Sequence, residues 1–398
     1  MPSIRRSGMS LLLFGVVVTT VSAVAQTALR FTPVIPCRVV DTRNPNGQFG
    51  GPAIQGGTSR SFAITEGACN VPSNAWGYSL NVTVVPAAHL GYLTVWPTAE
   101  NQPTVSNLNS VDGRVKANAV TVLGSAERAA VSVFASDTTH VIVDINGYYS
   151  PVSDTNLAFF PLPPCRVADT RGPDGPLGGP ILTADRERDF PLVQATACQV
   201  PPNAVAYSVN VTAIPHAALN YITVWATGRP LPNVSTLNAP TGTVTANAAI
   251  VAAGRGGVIA VFPTADTDLI IDINGYFAPA APGGLSVYGV TPCRVLDTRT
   301  AGGPFNGEMA IDVQASACAP SGNAQGYLVG ATVVPPTALG YLTLWSHKLH
   351  QPNVSTLNAY DGTITSNMAI VTTIDGSIDA YAEDPTNLVL DLFAYVAP

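Results

Sequence analysis

The stretch Cys37-Arg38-Val39-Val40-Asp41-Thr42-Arg43 returns as Cys165-Arg166-Val167-Ala168-Asp169-Thr170-Arg171. It returns once more as Cys293-Arg294-Val295-Leu296-Asp297-Thr298-Arg299, each time 128 residues further on. A period that long marks whole domains. Further landmarks recur in the same order, which places a first repeat at 26–151, a second at 152–281 and a third at 282–398. The joints, Ser150-Pro151-Val152-Ser153 and Ala278 to Gly284, are short and rich in proline, glycine and alanine, as stiff links are. The third repeat lacks residues between its cysteines, where the others carry Gly47 to Gly57 and Gly175 to Pro180. This predicts a surface loop there.

Period-two alternation dominates each copy. Tyr78, Leu80, Val82 and Val84 face one way and Ser79, Asn81 and Thr83 the other; Tyr207, Val209, Val211 and Ala213 repeat the pattern. Near each repeat's end, Val141, Val143 and Ile145 become Leu269, Ile271 and Ile273, then Leu388, Leu390 and Leu392. Asp112-Gly113, Thr241-Gly242, Asp361-Gly362 and Asn146-Gly147 read as turns between strands, and no helical period is sustained. The expected fold is all-β: three tandem β-sandwich domains, jelly-roll-like or immunoglobulin-like. The absence of a Cys, Trp, Cys spacing tilts the choice towards the jelly roll.

Composition narrows the function classes. Arg5 and Arg6, the apolar run Leu11 to Val18, and Ala23-Val24-Ala25 have the order of a secretory leader over 1–25. No later segment approaches a membrane-spanning length, so the mature chain is expected outside the cell, soluble or loosely surface-held, without a membrane span. The net charge is −7, and Lys116 and Lys348 are the only lysines, which disfavours nucleic acid. Six cysteines fall two per repeat. Repeat symmetry and an oxidising compartment favour Cys37 with Cys69, Cys165 with Cys198, and Cys293 with Cys318.

Three motifs carry candidate chemistry. Arg38, Asp41 and Arg43, with Asp144 at the other end of the repeat, are matched by Arg166, Asp169, Arg171 and Asp272, then by Arg294, Asp297, Arg299 and Asp391. Two arginines and two aspartates per repeat suit a structural ion-pair network; the alternative is an arginine pair gripping a carboxylate or sulfate. The rows Tyr92, Thr94, Trp96; Tyr221, Thr223, Trp225; and Tyr341, Thr343, Trp345 lie opposite the core face of their strands. Exposed, they would be platforms for stacking sugar rings; covered by a loop or domain, they would be a second core. Asn118, Asn247 and Asn367 follow Val-Ser-(Asn/Thr)-Leu-Asn segments and are expected to cap turns. No histidine, glutamate, serine elbow or phosphate loop recurs, so no catalytic constellation, metal site or cofactor is expected.

The Arg-x-x-Asp-Thr-Arg start, the Asn-Val-Thr strand, Gly-Tyr-Leu-Thr-Val, Ser-Asn-Leu-Asn and the Val-Asp-Ile-Asn-Gly-Tyr-Tyr close together resemble a repeat of secreted actinobacterial and acidobacterial proteins. The resemblance covers essentially the whole chain after the leader. It implies an accessory or envelope-associated role. Repeat three departs from it, with Gly330 in place of Asn81 and Asn210, and Phe393-Ala394-Tyr395 in place of Asn-Gly-Tyr. The expected function is a secreted, non-enzymatic protein that binds extracellular or cell-envelope glycan multivalently through its aromatic rows. The alternatives are a structural protein that buries those rows at interfaces and self-associates, and, more remotely, a secreted hydrolase.

Overall fold

The computed structural model describes residues 26–98, 100–124, 130–320 and 323–398; the expected leader lies outside them. In the first repeat an inner antiparallel sheet runs in the order Lys116–Leu123, Gly77–Pro86, Thr139–Pro151, Leu29–Asp41. An outer sheet runs Thr58–Ala63, Ala130–Ala135, Leu90–Pro97, Leu108–Ser110. Counted along the chain, the inner sheet holds the first, eighth, third and sixth strands, and the outer sheet the second, seventh, fourth and fifth. This is the jelly-roll order, and it sets the immunoglobulin-like alternative aside. The second repeat has the same order. In the third, one long strand, Ser377–Ala397, serves as both seventh and eighth, pairing first in the outer sheet and then in the inner one.

Between the sheets of each repeat lies a separate apolar core, with Leu80, Val82, Leu93 and Val143 at the centre of the first. A disulfide ties the opening strand of each repeat to the segment after its second strand or, in repeats two and three, to its equivalent: Cys37 to Cys69, Cys165 to Cys198, Cys293 to Cys318. The Gly/Pro-rich stretches of repeats one and two are loops stapled by an arginine. Arg60 donates to the carbonyls of Gly47, Gln48, Gly50 and Pro52, and Arg188 to those of Gly175, Gly178, Gly179 and Pro180.

The repeats do not form a rod. Their opening strands meet pairwise, Phe31 with Leu157, Phe159 with Leu285, and Leu29 with Val287, which closes a ring and joins the three inner sheets about a pseudo-threefold axis. A fourth apolar core fills that axis from all three repeats. In it Phe277 lies 4.7 Å from Phe31 and 5.2 Å from Phe159, ring centre to ring centre. The polar face of the inner sheet is therefore buried as well: Ser79, Asn81 and Thr83 are as inaccessible as the core residues beside them.

Asn146-Gly147 is not a turn. Both residues lie inside the strand Thr139–Pro151, and the glycine is needed because a Cβ there would come within 2.3 Å of the Phe31 ring. Gly275 meets Phe159 in the same way. Repeat three solves the contact with a smaller pair, Ala394 and Val287, at the equivalent places. It makes a second exchange too: Gly330 leaves the space that the Phe393 ring fills, 2.8 Å from where a Cβ would stand. Its departures from the repeat pattern are thus matched pairs.

Gly147→Ala should destabilise the protein by roughly 1–3 kcal/mol through overpacking. Adding Phe31→Val should make the double variant more stable than the sum of the two single effects, with a coupling of about 1 kcal/mol or more in a denaturant double-mutant cycle. Strict additivity would show that the ring contact does not select the glycine.

Candidate functional site: the seams and grooves between repeats

Cross-strand pairing sets Arg38 opposite Asp144. The guanidinium grips the carboxylate with two bonds, Nε to Oδ1 at 2.8 Å and Nη2 to Oδ2 at 3.1 Å. Arg43 grips Asp41 in the same fork, at 2.8 and 2.6 Å. Arg166 with Asp272, Arg171 with Asp169, Arg294 with Asp391 and Arg299 with Asp297 repeat both forks. The inner aspartate of each set also reaches the next repeat. Asp144 Oδ2 accepts the Ser235 N–H at 3.2 Å, Asp272 that of Ser355 at 3.1 Å, and Asp391 that of Ser106 at 3.2 Å. The third bond returns to the first repeat, so the seam is a closed cycle.

The repeated asparagines belong to the same cycle rather than to isolated turns. Asn118 Oδ1 accepts the Met368 N–H, Asn247 Oδ1 that of Ala119, and Asn367 Oδ1 that of Ala248, at 2.9–3.2 Å. Their amide groups meanwhile donate to the carbonyls of Asn107, Thr236 and Thr356 in their own repeats. Each asparagine therefore fixes a loop and a neighbouring repeat at once, and turn capping is only half of its role. Where these strands near the axis, Ala119, Ala248 and Met368 pack together. Beyond them Arg114 closes the axis, paired with Asp112 of its own repeat and Asp361 of the third, and donating to Thr241 of the second at 2.8 Å.

The aromatic rows are mostly covered. Trp96, Trp225 and Trp345 are 5%, 1% and 1% exposed, and Thr94, Thr223 and Thr343 are fully buried. Each repeat's own loop lies over them. Thr94 Oγ1 donates to the Val105 carbonyl at 2.7 Å and Trp96 Nε1 to that of Glu100 at 3.1 Å, with the same bonds from Thr223, Thr343, Trp225 and Trp345. The expectation of an exposed Tyr/Thr/Trp platform is corrected accordingly. Thr and Trp hold down the loop that carries Ser106, Ser235 or Ser355 into the seam. Only the tyrosines reach solvent: Tyr92 is 38% exposed, and Tyr221 and Tyr341 are half-buried.

Tyr92 and Tyr341 border grooves at two of the seams. One groove, of about 530 Å³, brings Arg294 and Arg299 of the third repeat to Tyr92, Gln102 and Thr104 of the first. Another, of about 490 Å³, brings Arg166 and Arg171 of the second to Tyr341, Gln351 and Asn353 of the third. The sequence presented the arginine and tyrosine motifs as separate features; the rotation of one repeat onto the next puts them on opposite walls of one cleft.

Electrostatics divide the carboxylates into two kinds. The Arg43 hydrogen bonds hold the Asp41 carboxyl below its usual range, and Arg299 does the same for Asp297. Burial pushes Asp144, Asp272 and Asp391 upward, against the pull of their arginines. At the axis, burial raises Asp112, but the Arg114 bond and the Lys116 charge outweigh it and bring it down to about 2. Among the described residues no group of three or more His, Cys, Asp or Glu side chains is placed to hold a metal ion. No helix among them is long and apolar enough to cross a membrane. The fold and seams define a three-repeat jelly-roll protein; no protein-family model matches the chain, and no curated protein matches it.

Asp112 stabilises the fold above its unfolded pKa of about 3.9, and that contribution is lost as pH falls towards 2. Asp112→Asn should therefore lower stability at pH 7 and flatten the loss between about pH 4 and 2, read as denaturation midpoints across that window. The upward-shifted Asp144, Asp272 and Asp391 titrate in the opposite sense and are common to both proteins. An unchanged slope in the variant would remove Asp112 from the axis network. Arg38→Ala, which strands the buried Asp144, should cost about 3 kcal/mol or more in the same assay.

Proposed function

We propose that this is a secreted, non-enzymatic surface-binding protein, a single three-repeat body that holds extracellular or cell-envelope glycan in the grooves between its repeats. The observation that carries the reading is the recurrence of one groove composition at successive seams. A solvent-reaching tyrosine and a polar loop, Gln102 with Thr104 in one groove and Gln351 with Asn353 in the other, face a pair of arginines whose charges are already met by aspartates. Aromatic faces flanked by hydrogen-bonding groups suit sugar rings. Fixed spacing between equivalent grooves suits a repetitive surface, where weak sites act together by effective concentration. Three disulfides and the leader-like start support export. The aromatic contribution is assigned to Tyr92, Tyr221 and Tyr341 rather than to whole rows.

The structural alternative has its own support. Tryptophans, threonines, asparagines and aspartates that recur among the repeats are committed to holding the body together, which is what a building element needs. The two readings part in solution, because a building element self-associates and a binder that works as a single three-repeat body does not.

Sedimentation of the mature protein with insoluble cell-wall polysaccharide, chitin and cellulose tests the proposal. Tyr92→Ala, Tyr221→Ala and Tyr341→Ala combined should reduce retention about tenfold or more while leaving the denaturation midpoint nearly unchanged. Retention unaffected by the triple variant would move the contact elsewhere. Large assemblies at micromolar concentration, with no retention on any polysaccharide, would favour the building element.

A further inference from the structure

The groove between the second and third repeats differs from its equivalents. Tyr360 stands on its wall, 51% exposed, at a position occupied by Val111 in the first repeat and Pro240 in the second. It lines the same groove as Arg171, Tyr341 and Gln351. Two aromatic rings thus border one cleft, where the groove between the third and first repeats has one.

The cleft also holds unspent polar capacity. Thr212 lines it, 2% exposed, and its Oγ1 has no hydrogen-bond partner. A buried hydroxyl without a partner is costly and marks a place where a ligand or water completes the bonding. Asn353 is exposed on the opposite wall, and Arg171 uses Nε and Nη2 on Asp169; among the described residues neither the Asn353 amide nor Arg171 Nη1 has a hydrogen-bond partner.

Charge decides the ligand class. Arg166 and Asp272 cancel, as do Arg171 and Asp169, and the whole chain is acidic. A carboxylated or sulfated chain would find no net positive field here, and a cation no free carboxylate. An uncharged ligand with flat apolar faces and many hydroxyls meets every feature present: two rings to stack on, and amide, guanidinium and hydroxyl groups to bond. A volume of about 490 Å³ falls in the range of small-ligand sites and accommodates a short segment rather than a single water-sized solute.

We infer that the groove between the second and third repeats is the principal ligand site of the protein, and that it takes an uncharged oligosaccharide between Tyr341 and Tyr360. This rests on the glycan-binding reading above and adds to it a single dominant site and a neutral ligand. It sets aside the alternative in which the repeated arginines grip a carboxylate or sulfate; here they are pair-neutralised walls.

Isothermal titration of the full mature protein with cellohexaose, chitohexaose and maltohexaose, and with polygalacturonate and heparin as anionic probes, tests it. At least one neutral hexasaccharide should bind. Tyr360→Ala should weaken it about tenfold, Tyr360→Trp should retain it, and Asn353→Ala should weaken it less. Ile374→Ala, at an exposed position that lines neither groove, should change it less than twofold. Binding of a neutral probe that is indifferent to Tyr360→Ala would overturn the site while leaving the glycan reading intact. Binding of anionic probes alone would overturn the ligand class. Absence of binding to every soluble probe and to insoluble cell-wall polysaccharide would overturn both.

Discussion

The structure depends on burying the polar face of three sheets. A jelly roll has two sheets and one core between them, so the outer face of each sheet ordinarily meets water. Here the inner sheet of every repeat turns its outer face to the other two repeats, and residues such as Asn81, Asn118 and Asp144 go out of solvent with it. A buried amide or carboxylate is tolerated only when its bonds are made. The cyclic bonds of aspartate to serine N–H, and of asparagine to the next strand's N–H, meet that requirement. They also fix the angle between repeats, because a small rotation would leave several buried groups unpaired together.

That requirement explains what the repeated motifs are for. The arginines neutralise aspartates that would otherwise be buried charges, and the aspartates spend a remaining lone pair on the neighbouring repeat. The Thr and Trp of each aromatic row pin the loop whose serine supplies the receiving N–H. The tyrosine one step along the same strand lies past the edge of that loop and stays at the surface, on the rim of the groove that the seam creates. Stability and the candidate site are therefore parts of one construction, and the groove is rigid to the extent that the seam is.

Repeat three shows how the construction tolerates change. Replacing asparagine by Gly330 removes one side chain from the seam, and Phe393 occupies its space. Replacing phenylalanine by Val287 admits Ala394. In the seam Ser366 reaches Asn109 of the first repeat at 2.9 Å, a contact without counterpart elsewhere. The same divergence placed Tyr360 in a groove where the other repeats have smaller side chains, so loss of internal symmetry and the distinctness of one groove go together.

Much of the fold was legible in the sequence, because period-two alternation, paired cysteines and a 128-residue repeat each report a local or within-repeat constraint. The all-β class, the disulfides and the core faces follow from side-chain pattern alone. Asn146-Gly147 misled as a turn because a glycine demanded by a ring across the strand pair looks, in one dimension, like a glycine demanded by backbone φ. The aromatic rows misled because alternation tells which side of a sheet a residue faces but not what covers that side. Strand order, the closed threefold seam, the burial of Trp96 and its counterparts, and the meeting of Arg171 with Tyr341 and Tyr360 were decided only in three dimensions. The seam and the groove arise from contacts between segments far apart in the chain, which no local pattern encodes, and the tryptophans are covered by the loop that follows their own strand, whose path alternation does not report.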